Sequence, residues 1–448
     1  MANVYVHNFG CRATQSDGAA LETMLSRDGH RTVGSWNAAE FVVLNTCTVT
    51  AAADDDVRQT VRRVQRANPE ARILVTGCYA QRAPDELAAL PGVQWVVGNS
   101  HKAEIPEIVS RAAGAPADYH GEVRVGPIGP TAGLLAAPVD DASGDRTRPN
   151  LKIQDGCNNV CTFCIIPSVR GRSRSAPADD VIAQVRHLAA RYREVVLSGI
   201  NLGRWGRDVG NPRPERLAGL VRRILAETPV ELLRLSSIEP MDWTEDLFEA
   251  VASSPRVASY VHIPLQSGSD AVLKRMKRRY RARHYADRAH RARALMHDAA
   301  IGADVMVGFP GETGDEFEES RAFIESMPFT YLHVFTYSER PGTPAAEYPG
   351  CVPMAVRKQR NAILRGIGER KNFEFRRQFV GKTLRAVTLD RGGEALSGNY
   401  LRIALATPRE ANRLEEVRIG AVTPRGLAEY DPLAVLHSVH VHGEPLRR

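Results

Sequence analysis

Three cysteines stand close together in the middle of the 448-residue chain, at Cys157, Cys161 and Cys164. Their C-x3-C-x2-C spacing brings together three thiolates, which are the usual ligands of iron–sulfur clusters. A cubane cluster has four irons, so three cysteine ligands leave one iron open, and an open metal position is typical of a catalytic site. The alternatives are a zinc knuckle that lacks one ligand and a reduced cysteine cluster without metal. Zinc patterns usually pair their cysteines or histidines two by two.

Three further cysteines, Cys11, Cys47 and Cys78, lie about 30 residues apart near the start of the chain. Each follows, within one or two residues, a short apolar run that predicts a buried strand. If these strands are parallel, their carboxyl ends share one edge of a sheet, where ligands usually bind. The three thiols would then converge and suit a second cluster with three protein ligands. The alternative is three unrelated buried cysteines in strand-end turns.

The composition is that of an ordinary globular protein, with 43% hydrophobic and 25% charged residues, and the length predicts about three domains. A formal net charge of +7 favours a polyanionic partner, with a solvated basic surface as the alternative. We expect no disulfide framework, because open iron–sulfur sites need a reducing compartment. The remaining cysteine, Cys351, fits no ligand pattern, and we interpret it as structural or free. Without a signal-peptide core or an apolar run of ~20 residues, we expect a cytoplasmic protein that does not contact a membrane.

Residues 1–112 alternate between short apolar runs and helical patterns, which predicts a parallel α/β domain. The predicted strands are Val4–Phe9, Phe41–Leu44, Ile73–Thr76 and Trp95–Val97, and the predicted helices are Leu21–Arg27, Ala51–Arg66 and Pro84–Leu90. Residues 113–150 contain six glycines and five prolines, which indicates a linker. Within the linker, Glu122–Val125 is suited to pair as an edge strand.

Residues 151–375 repeat a strand–helix unit six times, which predicts a partial (βα)6 barrel. Its predicted strands are Leu151–Gln154, Glu194–Ser198, Leu232–Ser236, Tyr260–Ile263, Gly302–Val307 and Tyr331–Phe335. Active sites of such barrels lie at the carboxyl ends of the strands. Cys157 follows the first strand at that end, so the predicted topology and the cysteine motif agree.

Residues 376–448 follow a basic helical pattern and turn to short strands with glycine turns, which predicts a small β-barrel of a kind that binds nucleic acid. The strands are predicted at Thr383–Leu389, Tyr400–Leu405, Glu416–Ile419 and Val435–His442. The predicted fold class is therefore α/β, with a parallel N-terminal domain, a partial barrel and a C-terminal β-barrel.

Basic residues concentrate in two places near the predicted active site. Residues 271–295 hold ten Lys and Arg against one acidic residue, and three arginines follow the central cysteines. Such patches neutralise RNA phosphates. The alternatives are a solvated helix face and, for the three arginines, pairing with carboxylates within the fold. The predicted RNA contacts are Arg170, Arg172, Arg174, Lys274, Arg275, Lys277, Arg278 and Arg279.

The motifs resemble those of a known enzyme family. The C-x3-C-x2-C spacing is similar to the signature of radical S-adenosylmethionine enzymes. Residues 9–17, 45–50 and 76–81 resemble the three cysteine motifs of the methylthiotransferase N-terminal domain, and residues 380–384 resemble the start of a TRAM domain. Together these resemblances cover nearly the whole chain.

The resemblance implies two [4Fe-4S] clusters and S-adenosyl-L-methionine as cofactors. Methylthiotransferases replace a C–H bond with C–S–CH3, using one S-adenosylmethionine as methyl donor and a second as radical source. By this resemblance, the cluster at Cys157, Cys161 and Cys164 generates the radical, and the cluster at Cys11, Cys47 and Cys78 carries the sulfur. An unactivated aromatic C–H bond has no acidic proton, so a cofactor must carry that step. The superfamily places its cofactor lining at later strand ends, which here implies Ser198, Gly199, Asn201, Gln266, Asp304 and Pro310.

Three branches of the family compete for the substrate. Residues 153–159, 170–175, 235–240 and 274–280 resemble the branch that acts on N6-threonylcarbamoyladenosine beside the tRNA anticodon. The other branches act on isopentenyladenosine in tRNA and on an aspartate of a ribosomal protein. The implied partners are the tRNA anticodon stem-loop, an electron donor such as flavodoxin or ferredoxin, and a sulfur source. Two further alternatives are a non-catalytic RNA-binding redox sensor and a radical enzyme with other sulfur chemistry.

Overall fold

The computed structural model describes residues 1–115, 121–129, 147–208, 215–390 and 392–431. Its first part is a six-stranded parallel sheet in the order β2-β1-β3-β4-β5-β6. The strands are β1 (Asn3–Asn8), β2 (Arg31–Thr32), β3 (Phe41–Thr46), β4 (Arg72–Gly77), β5 (Val93–Gly98) and β6 (Val123–Arg124). The helices are α1 (Arg12–Arg27), α2 (Ala51–Ala67), α3 (Cys78–Arg82), α4 (Pro84–Ala88) and α5 (Ile105–Ala113).

This sheet is buried on both faces. All six residues of β3 are buried, as expected for a central parallel strand with a continuous apolar run. Phe41 and Val43 pack into one apolar cluster, while Val42 and Leu44 pack into another on the opposite face. Because β1, β3 and β4 are neighbours in the sheet, their carboxyl ends lie side by side.

The second part is a partial barrel of six parallel strands with one short antiparallel strand. The strands are β7 (Asn150–Asp155), β8 (Arg174–Ser175), β9 (Glu194–Gly199), β10 (Leu232–Leu235), β11 (Tyr260–His262), β12 (Ala300–Val307) and β13 (Tyr331–Thr336). The helices are α6 (Ile166–Arg170), α7 (Ala178–Ala189), α8 (Leu217–Glu227), α9 (Glu245–Ala252), α10 (Asp270–Arg275), α11 (Ala282–Leu295), α12 (Gly314–Ser326) and α13 (Met354–Arg377).

The barrel strands fall into two hydrogen-bonded sheets, β10-β9-β7-β8 and β11-β12-β13. An isolated parallel bridge between Leu233 and Val257 joins them beside β11. The parallel strands present their carboxyl ends at one rim, and a single large apolar cluster fills the space between strands and helices.

The third part is a closed five-stranded barrel in the order β14-β15-β16-β18-β17, which confirms the predicted small β-barrel. Its strands are β14 (Thr383–Thr388), β15 (Glu394–Ser397), β16 (Arg402–Ala404), β17 (Leu414–Thr423) and β18 (Gly426–Glu429). The predicted strand Val435–His442 lies outside the described residues. The predicted α/β class and its architecture are confirmed.

Three differences from the expected elements have local causes. Helix α1 begins at Arg12, not Leu21, with Cys11 as its N-cap. In the basic segment 271–295 the chain forms two helices and not one, because α10 ends at Arg275 and Lys277 adopts a left-handed φ of 54° that turns the chain. Two strands of the C-terminal barrel, β15 and β18, were not predicted, because neither contains a run of apolar or β-branched residues. No helix among the described residues is long and apolar enough to cross a membrane.

Candidate active site at two cysteine sets

Cys11, Cys47 and Cys78, the N-terminal cysteine set, follow three neighbouring strands directly. Cys11 begins the turn into α1 after β1, Cys47 follows β3, and Cys78 is the first residue of α3 after β4. Gly10 has a φ of 76° and lies so close to Cys47 that a Cβ at this position would be 2.6 Å from the Cys47 Cβ. Cys11 is exposed, whereas Cys47 and Cys78 are buried. The structure therefore brings all three residues to one edge of the sheet.

The environment of Cys47 disfavours a free thiolate and suits a metal ligand. Burial, together with the neighbouring Cys11 and Cys78, raises the pKa of Cys47 to about 12. Metal binding requires deprotonated cysteine and supplies the positive charge that makes the thiolate stable. The donor set thus fits an iron–sulfur cluster. Within the described residues, no three His, Cys, Asp or Glu side chains are placed to hold a single metal ion; in a cluster, each thiolate binds a different iron.

Cys157, Cys161 and Cys164, the central cysteine set, lie in the loop that follows β7 at the rim. The amide of Asn159 donates to the Cys157 Sγ at 3.4 Å, and the amide of Cys164 donates to the carbonyl of Cys161 at 3.1 Å. Burial, together with the neighbouring Cys161 and Cys157, raises the pKa of Cys164 to about 12. The three cysteines therefore lie close together in a loop that its own hydrogen bonds stabilise.

The two sets lie on elements that pack against each other. Helix α6 follows the central loop directly, and Cys78 forms an apolar cluster with Ile165 and Val169 of that segment. The side-chain amide of Asn99, just past β5, donates to the carbonyl of Val169 at 2.8 Å and lies 3.6 Å from the Cys78 Sγ. Sequence reasoning missed Asn99, although it follows a strand end just as the three cysteines do.

Two arginines that the sequence assigned to RNA contact are buried and pair within the fold. Arg170 is 2% exposed, and its Nε donates to the Cys78 Sγ at 3.2 Å. The Arg278 side chain is 4% exposed, and its Nη1 donates to the Cys161 Sγ at 3.2 Å. Arg278 also pairs with Glu239, a residue that the sequence analysis did not propose. The expectation that Arg170 and Arg278 contact RNA is therefore corrected, because neither guanidinium is at the surface.

Of the other six predicted RNA contacts, two bond to groups within the fold and four remain exposed. Arg275 binds Glu316 through two nitrogens, at 2.7 and 2.6 Å. Arg174 is half-buried and donates to the carbonyl of Arg170. The residues whose side chains remain exposed are Arg172, Lys274, Lys277 and Arg279.

Two amides of the predicted cofactor lining have unused hydrogen-bonding atoms at the rim. The Asn201 Nδ2 lies 3.6 Å from the Cys157 Sγ, while its Oδ1 is buried without a hydrogen-bond partner among the described residues. Gln266 has a φ of 68°, a strained conformation for a non-glycine residue, and its Oε1 likewise has no partner in the described part of the chain. Orphaned acceptors of this kind fit the ammonium group of S-adenosylmethionine.

The remaining predicted lining residues have contacts within the fold. The Ser198 hydroxyl donates to the carbonyl of Leu151 at 3.4 Å, so it faces β7. Gly199 ends β9, and a Cβ there would lie 2.9 Å from the Gln154 Oε1. Asp304 lies 3.3 Å from the His262 Nε2, and Pro310 is buried in the turn after β12.

Comparison with known proteins defines the class. Residues 3–98 match the model of an uncharacterized protein family, UPF0004, and residues 151–324 match the Radical SAM superfamily. A structure of the radical S-adenosylmethionine methyltransferase TsrM from Kitasatospora setae aligns with a TM-score of 0.55 over 77% of each chain, at 16% identity, and therefore shows the fold alone. The chain is a radical S-adenosylmethionine enzyme.

Relatives that match over most of their length define the family. The threonylcarbamoyladenosine tRNA methylthiotransferase MtaB of Bacillus subtilis is 38% identical over 86% of this chain and 85% of its own. The protein of the same name from Aquifex aeolicus is 34% identical over 93% and 100%. A tRNA-2-methylthio-N(6)-dimethylallyladenosine synthase of Novosphingobium aromaticivorans is 33% identical over 86% of each. The chain belongs to the radical S-adenosylmethionine methylthiotransferases, and its cofactors are S-adenosyl-L-methionine and [4Fe-4S] clusters.

Proposed function

We propose that this chain converts N6-threonylcarbamoyladenosine, next to the anticodon of tRNA, to its 2-methylthio derivative. The observation that carries the proposal is the ranking of the relatives. Four proteins named threonylcarbamoyladenosine tRNA methylthiotransferases are 33–38% identical over 85–93% of the chain. The second candidate substrate is dimethylallyladenosine in tRNA, because relatives named for it are 32–34% identical.

The central cysteine set is assigned to the cluster that binds S-adenosylmethionine, and the N-terminal cysteine set to the second cluster. When bound, these groups supply one-electron chemistry that breaks an unactivated C–H bond and the sulfur that replaces the hydrogen. The residues of the chain hold and orient the reactants. Support for this assignment comes from the contact between Cys78 and the segment that begins α6, which places the two sets on adjoining elements.

Asn201 and Gln266 are assigned to S-adenosylmethionine. Both residues lie at the rim, and each has a buried amide oxygen without a partner among the described residues. An amide oxygen accepts a hydrogen bond, so these two atoms suit the amino group of the cofactor's methionine part. The cost of leaving such acceptors unpaired, about 1–3 kcal/mol each, would be relieved when the cofactor binds.

The exposed cations Arg172, Lys274, Lys277 and Arg279 are assigned to phosphates of the anticodon stem-loop. Lys277 and Arg279 line a small cavity together with Asn159 and Cys161, so these cations adjoin the central cysteine set. A phosphate backbone bound there would lie beside the rim of the barrel. Charge on this surface would add affinity for tRNA without reading its sequence.

Mass spectrometry of tRNA nucleosides tests the substrate. A strain that lacks the gene should lose 2-methylthio-N6-threonylcarbamoyladenosine and regain it with the wild-type gene, but not with a variant in which the central cysteine set is replaced by alanine. Purified enzyme, with reduced flavodoxin or ferredoxin as electron donor and sulfide as sulfur source, should form the same nucleoside. Loss of the methylthio derivative of dimethylallyladenosine instead would favour the second candidate and reject the first.

A further inference from the structure

The strongest unexplained feature is a pair of buried arginines, each of which donates to a cysteine sulfur of a different set. The Arg170 Nε lies 3.2 Å from the Cys78 Sγ, and the Arg278 Nη1 lies 3.2 Å from the Cys161 Sγ. The proposed function uses neither residue. Arg172 and Arg279, which lie within two residues of them in the sequence, are exposed, so the two arginines differ from these neighbours in environment and not in charge.

Arg170 is fixed in place by carboxylates on two different domains. Its Nη1 donates to both oxygens of Asp155, at 3.1 and 3.2 Å, and its Nη2 donates to Asp17 at 3.0 Å. Lys102 and Lys152 also bind Asp17. Three cations therefore face two carboxylates, and the excess positive charge is directed at the sulfur of Cys78.

Arg278 is held in the same manner at the rim. Its Nη2 pairs with Glu239, and its Nε donates to the Tyr280 hydroxyl at 3.2 Å. The Tyr280 hydroxyl in turn donates to the carbonyl of Leu265 at 2.6 Å. With the other nitrogens bonded, the Nη1 is the one directed at Cys161. Among the contacts that the structure describes, each of the two guanidinium groups donates to one sulfur of its cysteine set.

We propose that Arg170 and Arg278 are positioning residues that each set the reduction potential of one iron–sulfur cluster, Arg170 through Cys78 and Arg278 through Cys161. This inference rests on the cluster ligands assigned above. Hydrogen bonds to cluster sulfurs and nearby positive charge stabilise the reduced form, which carries one more negative charge. Removal of either arginine therefore lowers the potential of its own cluster and leaves the other cluster unchanged.

Redox titration followed by electron paramagnetic resonance tests this pairing in the full-length protein. Two backgrounds isolate one cluster each, by alanine replacement of the other cysteine set. Arg170→Gln should shift the N-terminal cluster to a more negative potential and leave the central cluster unmoved, and Arg278→Gln should do the reverse. Arg186→Gln and Arg283→Gln, exposed arginines of α7 and α11 that contact neither cysteine set, should shift neither cluster. An unchanged potential in both buried variants, or the same shift of both clusters by either one, overturns the proposal.

Conservative variants separate tuning from folding. Arg170→Gln leaves Asp17 and Asp155 without one of their partners, so Arg170→Lys is titrated beside it. Lysine keeps the charge, and we expect a smaller shift than with glutamine. If Arg170→Gln does not assemble a cluster, Arg170→Lys and Arg278→Gln decide the question.

Iron and sulfide content distinguishes failure of this inference from failure of the cysteine assignment. If the background that keeps only the N-terminal cysteine set binds no iron with both arginines intact, the ligand assignment is wrong and the inference falls with it. If both backgrounds load iron and sulfide but the potentials do not respond, only the role of the arginines is rejected.

Discussion

Glu194 and Arg234 form an ion pair that is fully buried at the base of the barrel, where β9 and β10 begin. The Arg234 Nε donates to the Glu194 Oε1 at 2.6 Å, and its other nitrogens donate to the carbonyls of Gly398 and Ser397 in the C-terminal barrel. Burial alone would raise the pKa of Glu194, but Arg234 and Arg148 outweigh it and hold the pKa below the ordinary value of 4.5. The carboxylate thus depends on its cationic partners.

The depressed pKa makes stability depend on pH with a defined sign. A carboxyl whose pKa is lower in the folded state contributes stability that is present above its unfolded pKa and is lost as the pH falls through the folded value. We expect the denaturation midpoint of the wild type to fall when the pH is lowered from about 5 toward 3, and the Glu194→Gln variant to show a smaller part of that fall. Chemical unfolding of both proteins at each pH measures the difference, in which the contributions of other carboxyls cancel. Equal slopes for the two proteins would contradict the prediction.

Among elements, the turn between β1 and α1 sets the geometry of the N-terminal cysteine set. Gly10 has a φ of 76°, and an alanine Cβ would lie 2.6 Å from the Cys47 Cβ and 2.8 Å from its Sγ. Gly10→Ala should therefore displace Cys47 and reduce the iron content by about half, while the central cluster still cleaves S-adenosylmethionine. Iron and sulfide analysis, with deoxyadenosine formation as the second readout, measures this.

Gly29→Ala is the matched control for that change. Gly29 has a φ of 84°, but a Cβ there meets nothing within 4 Å. Both variants carry the same backbone strain of roughly 1–2 kcal/mol, and only Gly10→Ala presses on a cysteine. If both variants lose iron equally, strain and not contact is responsible.

The connection from α10 to α11 provides the element-scale test of RNA binding. Lys274, Lys277 and Arg279 are exposed, and none forms an ion pair within the part of the chain that the structure describes. Replacing all three with glutamine should weaken tRNA binding and reduce the salt dependence of the binding constant by roughly one per lost phosphate contact. Filter binding or anisotropy over a range of salt concentrations measures both quantities.

A control of equal charge uses arginines that are already paired. Arg222 binds Asp246, Arg223 binds Glu227 and Arg291 binds Glu245. Their triple glutamine variant removes the same formal charge, and we expect it to leave the salt dependence unchanged. Equal losses in the two triple variants would show that overall charge, and not this surface, carries the affinity.

Strands and cysteines were predictable from sequence for a common physical reason. The apolar runs of β3 and β12 are nearly continuous because both faces of a parallel sheet are buried. A residue just past such a run lies at the carboxyl ends of the strands. The short strands β15 and β18 lack such a run and were missed. The adjacency of Cys11, Cys47 and Cys78 to these runs predicted that the three residues meet at one edge of the sheet, whereas the central cysteine set was predicted from its C-x3-C-x2-C spacing.

Burial of charge was not predictable in the same way. Arg170 and Arg278 stand beside Arg172 and Arg279 in the sequence, and composition does not distinguish them. Their roles depend on carboxylates far away in the chain, such as Asp17, which reaches Arg170 only after the N-terminal domain packs on the barrel. The long-range partner, and not the local pattern, decides whether an arginine is buried beside a cysteine or remains exposed.

At the scale of the whole molecule, buried ion pairs connect the N-terminal domain to the barrel. Lys152 of β7 pairs with Asp17 of α1, and Arg340 after β13 pairs with Asp54 of α2 at 2.6 Å. The backbone amide of Lys152 also donates to the Ser16 hydroxyl at 3.0 Å. These contacts fix the N-terminal cysteine set relative to the central one.

The C-terminal barrel is joined to the base of the partial barrel by a shared apolar core. Leu232, Ala258 and Tyr260 of the barrel pack in one cluster with Phe375, Phe379 and residues of β14–β18 such as Val417. A tethered accessory domain would have its own separate core. The two barrels should therefore unfold together.

Deletion of residues 381–448 tests this joint. The truncated chain would expose the apolar base and leave Arg234 without its bonds to Ser397 and Gly398, so we expect a lower thermal midpoint and binding of a hydrophobic dye. Differential scanning calorimetry on the full-length protein should give no separate transition for the C-terminal barrel. The full-length Arg385→Gln variant is the control, because Arg385 is half-buried and makes one long bond, of 3.4 Å, to the carbonyl of Pro255 across the joint. The prediction is contradicted if the truncated chain melts at the full-length midpoint and binds no dye. In that case the base of the partial barrel is stable without its cover, and the C-terminal barrel contributes nothing to its stability.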